Sequence, residues 1–258
     1  MSIDIIRAKH RQAAELMAEH GIDTWLIEFA RETGMRPDPL GYLVGASVTW
    51  PSAFLLNRDG STAAIVGTGD AGTFEAAGLW TEVRPYRDGP REDLLDVLAR
   101  WDPKALGVTW SDSDETADGI THGMYLLLEK LLQGTRFAGR VVSAGALAGD
   151  VRGIKLPEEV EAIRRTVKLT EQLLERIGQR LQPGITEIGL QREVHGWIRE
   201  AGWKFSWEED LCPMVNFGPP AFLGHAGPTD RALAPGTVIH VDVGLIVDGF
   251  ASDLQRTW

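Results

Sequence analysis

The sequence holds a single cysteine, Cys212. That excludes an intrachain disulfide and any C-x-x-C or paired-cysteine zinc site, and it fits the reducing cytoplasm. Cations are scarce as well: 26 Lys and Arg stand against 37 Asp and Glu, a net charge of −11. A surface of that sign repels phosphate backbones and anionic lipid, so neither nucleic acid nor membrane is an expected partner. No apolar run approaches the roughly 20 residues of a membrane span. The opening stretch MSIDIIRAKHRQAAELMAEHGID lacks the apolar core of a secretory leader and reads as an amphipathic helix.

What is present is ordinary for a globular protein. With 258 residues, 43% apolar and 24% charged, the chain can bury one large core or two smaller ones. Residues 4–20 read as a helix stopped by Gly21. TWLIE (24–28) reads as a strand, and AFLLN (53–57) with TAAIV (62–66) as a hairpin around RDGS. Further strands are expected at 80–86 and 105–110 and helices at 91–101 and 119–133, and FAGRVVSA (137–144) closes the segment. This alternation predicts a mixed-sheet α/β domain over residues 1–150.

The remainder, 151–258, changes character. Val160, Ile163, Val167, Leu174, Ile177 and Leu181 keep helical spacing, with Thr170 in the slot between Val167 and Leu174. Pro183-Gly184 ends that helix, and Thr186 caps a second one running to about Ala201. Strand-like segments follow at 204–217 and 236–258.

The last segment, VIHVDVGLIVDGFASDLQRTW, carries the chemistry. Asp248-Gly249 is a favoured two-residue hairpin turn, since both residue types tolerate positive φ. With that turn Val247 faces Phe250, Gly244 faces Asp253 and Asp242 faces Gln255. Alternation along the strands then puts Asp242 and Asp253 on one face as diagonal neighbours, about 5–8 Å apart at Cβ, with glycine leaving room between them. Two such carboxylates raise each other's pKa unless a cation lies between them. The competing expectation is a pair of exposed hairpin acids, which the buried-looking run VIHVDVGLIV disfavours.

The run D-V-G-L-I-V-D-G-F-A-S-D-L-Q-R-T resembles the first metal-ligand motif of the pita-bread metallopeptidases, the family of aminopeptidase P, prolidase, methionine aminopeptidase and creatinase. NFGPPAFLGHAGPTDRALAPGT resembles the segment that carries an active-site histidine there, and RGIKLPEEVEAIRRT the linker and first catalytic-domain helix. The resemblance implies an α/β creatinase-type N-terminal domain over 1–150, then the first half of an α+β pita-bread (creatinase/aminopeptidase) domain over 151–258. It implies a metal-dependent hydrolase cleaving the bond before proline in short peptides. Asp242 and Asp253 would bind two divalent metals (Mn, Co or Zn), and His225 would contact the substrate or its developing oxyanion. A homodimer is expected from the same branch. Gln255 stands where many members carry threonine. The family draws a further histidine and two glutamates from its second half; the chain stops at Trp258 before them. It is therefore expected to be a fragment, or a half-domain needing a partner, weak in metal by itself. The alternatives are a creatinase-like hydrolase of a small non-peptide C–N substrate and a non-catalytic binding module of the same fold.

Other motifs carry less. GTGDAG (67–72) matches G-x-G-x-x-G, but its strand belongs to a hairpin, so a glycine-rich turn is expected. SDSDETADG (111–119) lacks the glycine and closing glutamate of a calcium loop and reads as an acidic helix start. His240 shares the Asp242 face and is expected to be a satisfied core histidine. His10, His20, His122 and His195 fall on helices and read as solvated. Trp197, Trp203 and Trp207 cluster toward the aspartates and serve core packing or an apolar pocket.

Overall fold

The structure, a computed structural model, describes residues 1–32, 41–219 and 227–258. It divides into two compact units, Met1–Leu156 and Pro157–Trp258.

In the first unit α1 (Ile3–Glu19) is followed by β1 (Thr24–Ala30), β2 (Ser52–Asn57), β3 (Thr62–Gly67), α2 (Ala71–Ala77), β4 (Glu82–Tyr86), α3 (Arg91–Trp101), β5 (Leu106–Val108), α4 (His122–Leu132), β6 (Val141–Ser143) and α5 (Gly145–Gly153). Ser2 caps α1, and Thr121 caps α4, by accepting from backbone amides. The strands form one mixed sheet in the order β4-β3-β2-β1-β5-β6. Side-chain alternation divides its two faces. Trp25, Ile27, Phe54, Leu56, Ala64 and Val66 pack in one core with residues of α1, α2 and α5. Leu26, Leu55, Ala63 and Ile65 pack in a second with α3 and α4.

The unit runs past residue 150 because α5 belongs to it. Leu147, Ala148 and Val151 are buried in the first core. Lys9, wholly buried on α1, donates Nζ to the carbonyls of Val151 at 2.6 Å and Ile154 at 2.8 Å. Those bonds satisfy carbonyls at the end of α5 and offset the cost of burying an ammonium group.

The second unit is α+β: α6 (Pro157–Arg180), α7 (Glu187–Glu200), β7 (Lys204–Phe205), β8 (Met214–Phe217), β9 (Ile239–Val243), β10 (Leu245–Val247), β11 (Phe250–Ala251) and β12 (Leu254–Thr257). Two three-stranded sheets, β11-β10-β7 and β12-β9-β8, share the continuous run 239–247. The buried stripe of α6 is Glu159, Ala162, Thr166, Thr170, Leu173, Leu174 and Ile177. It differs from the apolar spacing in the first half of the helix, where Val160 is exposed and Ile163 and Val167 are half-buried. Thr166 faces inward instead, and Thr170 is buried in the slot expected for it.

Candidate metal centre

The hairpin forms in the register that its turn dictates. Asp248 and Gly249 both take positive φ, 53° and 85°. Val247 pairs with Phe250 and Ile246 with Ala251; the same count resumes at Val243 with Leu254 and Asp242 with Gln255. Gly244 and Asp253 are opposite by this count. Asp253 is exposed while Asp242 is buried.

Asp242 is in an unusual position for a carboxylate. Its Oδ2 accepts from Gln255 Nε2 at 3.1 Å, and its buried Oδ1 has no partner among the described residues. Burial pushes its pKa above the ordinary carboxylate range, and the neighbouring Asp253 carboxylate adds to the rise; His240 and Gln255 pull it back. His240 Nε2 lies 3.2 Å from Gln255 Oε1, so Gln255 links His240 to Asp242. His240 is half-buried and bonded on this face rather than sealed in the core.

An orphaned, buried carboxylate oxygen beside a second carboxylate fits a divalent cation, which would satisfy the lone pairs and cancel the repulsion. Among the described residues no group of three or more His, Cys, Asp or Glu completes a metal cage.

The space in front of Gly244 is not left for an ion. A Cβ there would meet the Ser252 carbonyl at 2.3 Å, the Trp207 ring at 2.5 Å and Ser206 Cβ at 2.7 Å. Glycine serves close packing at this point. Trp207 is fixed by donating Nε1 to Leu211 O at 2.9 Å. Trp197 and Trp203 pack on the core of this unit, with the Arg176 guanidinium 3.9 Å above the Trp197 ring.

His225 lies outside the described residues. The chain on either side of it is fastened by a residue whose importance the sequence does not reveal. Glu187, buried just after the Thr186 cap, accepts from Phe217 N at 2.6 Å, Thr229 N at 2.8 Å and Thr229 Oγ1 at 2.6 Å. Arg231 adds bonds to the carbonyls of Phe217 at 2.6 Å and Gly218 at 3.0 Å. An acid in the first turn of a helix ordinarily answers the helix dipole; only tertiary structure shows that this one spans positions 42 residues apart.

The remaining motifs carry no site. β3 does lead through α2 into parallel β4, contrary to the hairpin-only expectation for GTGDAG. However, Trp50 lies against Gly67, where a Cβ would meet its ring at 2.7 Å, and Asp70 places a carboxylate at the start of the short helix. Asp114 accepts from Thr116 N and Oγ1 in a local turn, and α4 begins only at His122, so the acidic run is not a helix start. His10 and His195 are buried, not solvated. Their Nε2 atoms donate to Leu43 O and Cys212 O, both at 2.9 Å, and their rings pack on Trp80 and Phe205. Burial lowers both pKa values, that of His10 to about 4.

Comparison with known proteins supports the resemblance carried by the aspartate motif. Residues 161–258 match the family model described as Metallopeptidase family M24. A protein of Mycoplasma genitalium, described as a candidate Xaa-Pro aminopeptidase, is 29% identical over 112 residues, covering 43% of this chain and 30% of its own length. Methionine aminopeptidase of Helicobacter pylori is 27% identical over 110 residues, covering 40% of this chain and 42% of its own. The solved Xaa-Pro dipeptidase from Bacillus anthracis superposes with a TM-score of 0.71 at 17% identity, over 98% of this chain and 64% of that one, a likeness of fold. The chain thus spans under a third of the Mycoplasma relative and under two thirds of the Bacillus structure.

Proposed function

Starting from the match of residues 161–258 to metallopeptidase family M24, we propose that this chain carries part of a metal-dependent hydrolase that cleaves the bond before proline in short peptides. Residues 1–150 would be its creatinase-type domain and 151–258 the first half of its pita-bread domain. The observation that carries this is the buried Oδ1 of Asp242, without a partner among the described residues, beside Asp253. Asp242 and Asp253 would hold the metals, together with ligands that the described residues do not supply.

When bound, divalent metals supply Lewis-acid polarisation of a scissile carbonyl and activation of water. The chain's own residues prepare the site. Gln255 orients Asp242 by its amide, and His240 in turn contacts Gln255, a chain of outer contacts of the kind that fixes ligand geometry. His225 would contact the substrate, and Glu187 fastens the backbone at Phe217 and Thr229, on either side of the stretch that holds it. The protein works as a cytoplasmic homodimer.

The test is the full-length protein assayed on Xaa-Pro dipeptides, longer Xaa-Pro peptides, Met-Xaa peptides and creatine. Activity on the Xaa-Pro substrates should vanish with chelator and return with Mn, Co or Zn; chelator-resistant cleavage would sink the proposal. The likeness to methionine aminopeptidase supports a second reading, removal of N-terminal methionine. Preference for Met-Xaa in the same panel would select it.

A further inference from the structure

Ser252, the residue before Asp253, is gripped from two sides. On one side lies α6. Thr170 and Ser252 are both buried, and their hydroxyls are 2.7 Å apart. Thr170 Oγ1 donates to Thr166 O at 2.9 Å, which uses its only proton. With that proton so placed, the shorter of the two acceptors open to the Ser252 hydroxyl is Thr170 Oγ1, at 2.7 Å against 3.4 Å for Leu245 O, while Ser252 Oγ accepts from Leu245 N at 3.0 Å. The result is a directed relay from the Leu245 amide through Ser252 and Thr170 into the backbone of α6. On the other side, Ser206 Oγ donates to Ser252 O at 2.8 Å. Ser252 N also donates to Leu245 O at 2.9 Å.

Threonine bonded to the carbonyl four residues back is common within helices and says little alone. The informative part is the second bond. Valine would fill the same volume at position 170 without burying a hydroxyl, and the buried residues that follow it on this face, Leu173, Leu174 and Ile177, are apolar. The hydroxyl adds a hold on the connection between β11 and β12 that carries Asp253. Asp253 itself is exposed, so its side chain is not packed into the core as those of Thr170 and Ser252 are.

We infer that Thr170 and Ser206 are positioning residues that act through Ser252 to set where Asp253 presents its carboxylate. The inference rests on the proposed role of Asp253 as a metal ligand. In Thr170→Val the Ser252 hydroxyl keeps, among the described residues, only Leu245 O, at 3.4 Å, as an acceptor.

The experiment is Mn²⁺ titration of full-length protein by calorimetry, well below the unfolding temperature, on wild type, Thr170→Val, Thr170→Ser and Ser206→Ala. Near-ultraviolet circular dichroism checks packing, and amide exchange is followed at Leu245. Thr170→Val should weaken Mn²⁺ about tenfold, the scale of lost outer contacts at metal sites, and speed exchange at Leu245. Thr170→Ser should restore both, and Ser206→Ala should weaken Mn²⁺ in the same direction. If Thr170→Val does not fold, Ser206→Ala carries the test. Affinity within twofold of wild type in folded Thr170→Val, or in Ser206→Ala where it stands alone, overturns the inference and leaves the metal site intact. Wild type that shows no saturable Mn²⁺ binding overturns the metal reading and this inference together.

Discussion

Gln255 stands directly across the strand pair from Asp242 and donates to Oδ2 at 3.1 Å, leaving Oδ1 buried without a partner among the described residues. Without metal, this carboxylate is a liability. Its raised pKa means that the folded state keeps the proton longer than the unfolded chain. Its contribution to stability is therefore greatest at low pH and falls as pH rises past the ordinary carboxylate value. Asp242→Asn should raise the metal-free unfolding free energy at neutral pH, because the raised pKa marks a buried charge that the amide does not carry, and abolish stabilisation by Mn²⁺. Denaturant unfolding with and without the ion measures both. A destabilised metal-free variant would contradict the argument.

The sign reverses at His10 in the first unit. Its pKa falls from 6.5 to about 4 in the fold, so the unfolded chain binds the proton first. Stability present above pH 6.5 should be lost progressively as pH falls toward 4, by up to about 3 kcal/mol. His10→Gln keeps a donor for Leu43 O but does not titrate. The stability difference between wild type and variant should therefore narrow over this window in urea melts.

Gly244→Ala places a methyl group 2.3 Å from the Ser252 carbonyl and 2.5 Å from Trp207. A flexible side chain can retreat, but the backbone carbonyl cannot do so cheaply. A loss of about 3 kcal/mol in the second unit is expected, and Trp207→Leu should not rescue it. Recovery in the double variant would show that the ring, not the carbonyl, sets the limit.

At Glu187 all three partners are donors. Glutamine would turn an NH₂ group toward one of them, so Glu187→Gln should cost about 2 kcal/mol and speed amide exchange at Phe217 and Thr229 together. Exchange that changes at one amide and not the other would mean that the carboxylate does not couple the two.

The hairpin register was legible because one dipeptide, Asp248-Gly249, determines it: a two-residue turn with both φ positive leaves one count back along the strands. The α/β alternation of the first unit was legible for a similar reason, since strand and helix periods differ. The inward-facing threonines were legible in part: Thr170 falls in the expected stripe and is buried there, but a period of 3.6 read from apolar residues alone does not see the stripe turn through Thr166. Nor does an isolated histidine on a helix announce its burial, and His10 and His195 went the opposite way from their expectation. Glu187 was invisible because its partners are distant in sequence. The role of Gly244 was half legible: the need for glycine was plain, but Trp207 and Ser252, not an ion, fill the space.

One further consequence follows from the run 239–247 serving two sheets. Asp242 belongs to β9 in one sheet, and the chain crosses to the other at Gly244 and returns at Ser252-Asp253. The two carboxylates therefore straddle a seam. A cation gripping both acts as a rivet across it, so Mn²⁺ should slow amide exchange in β10 and β12 alike. Slowing confined to one sheet would mean that the ion fastens nothing beyond its own ligands.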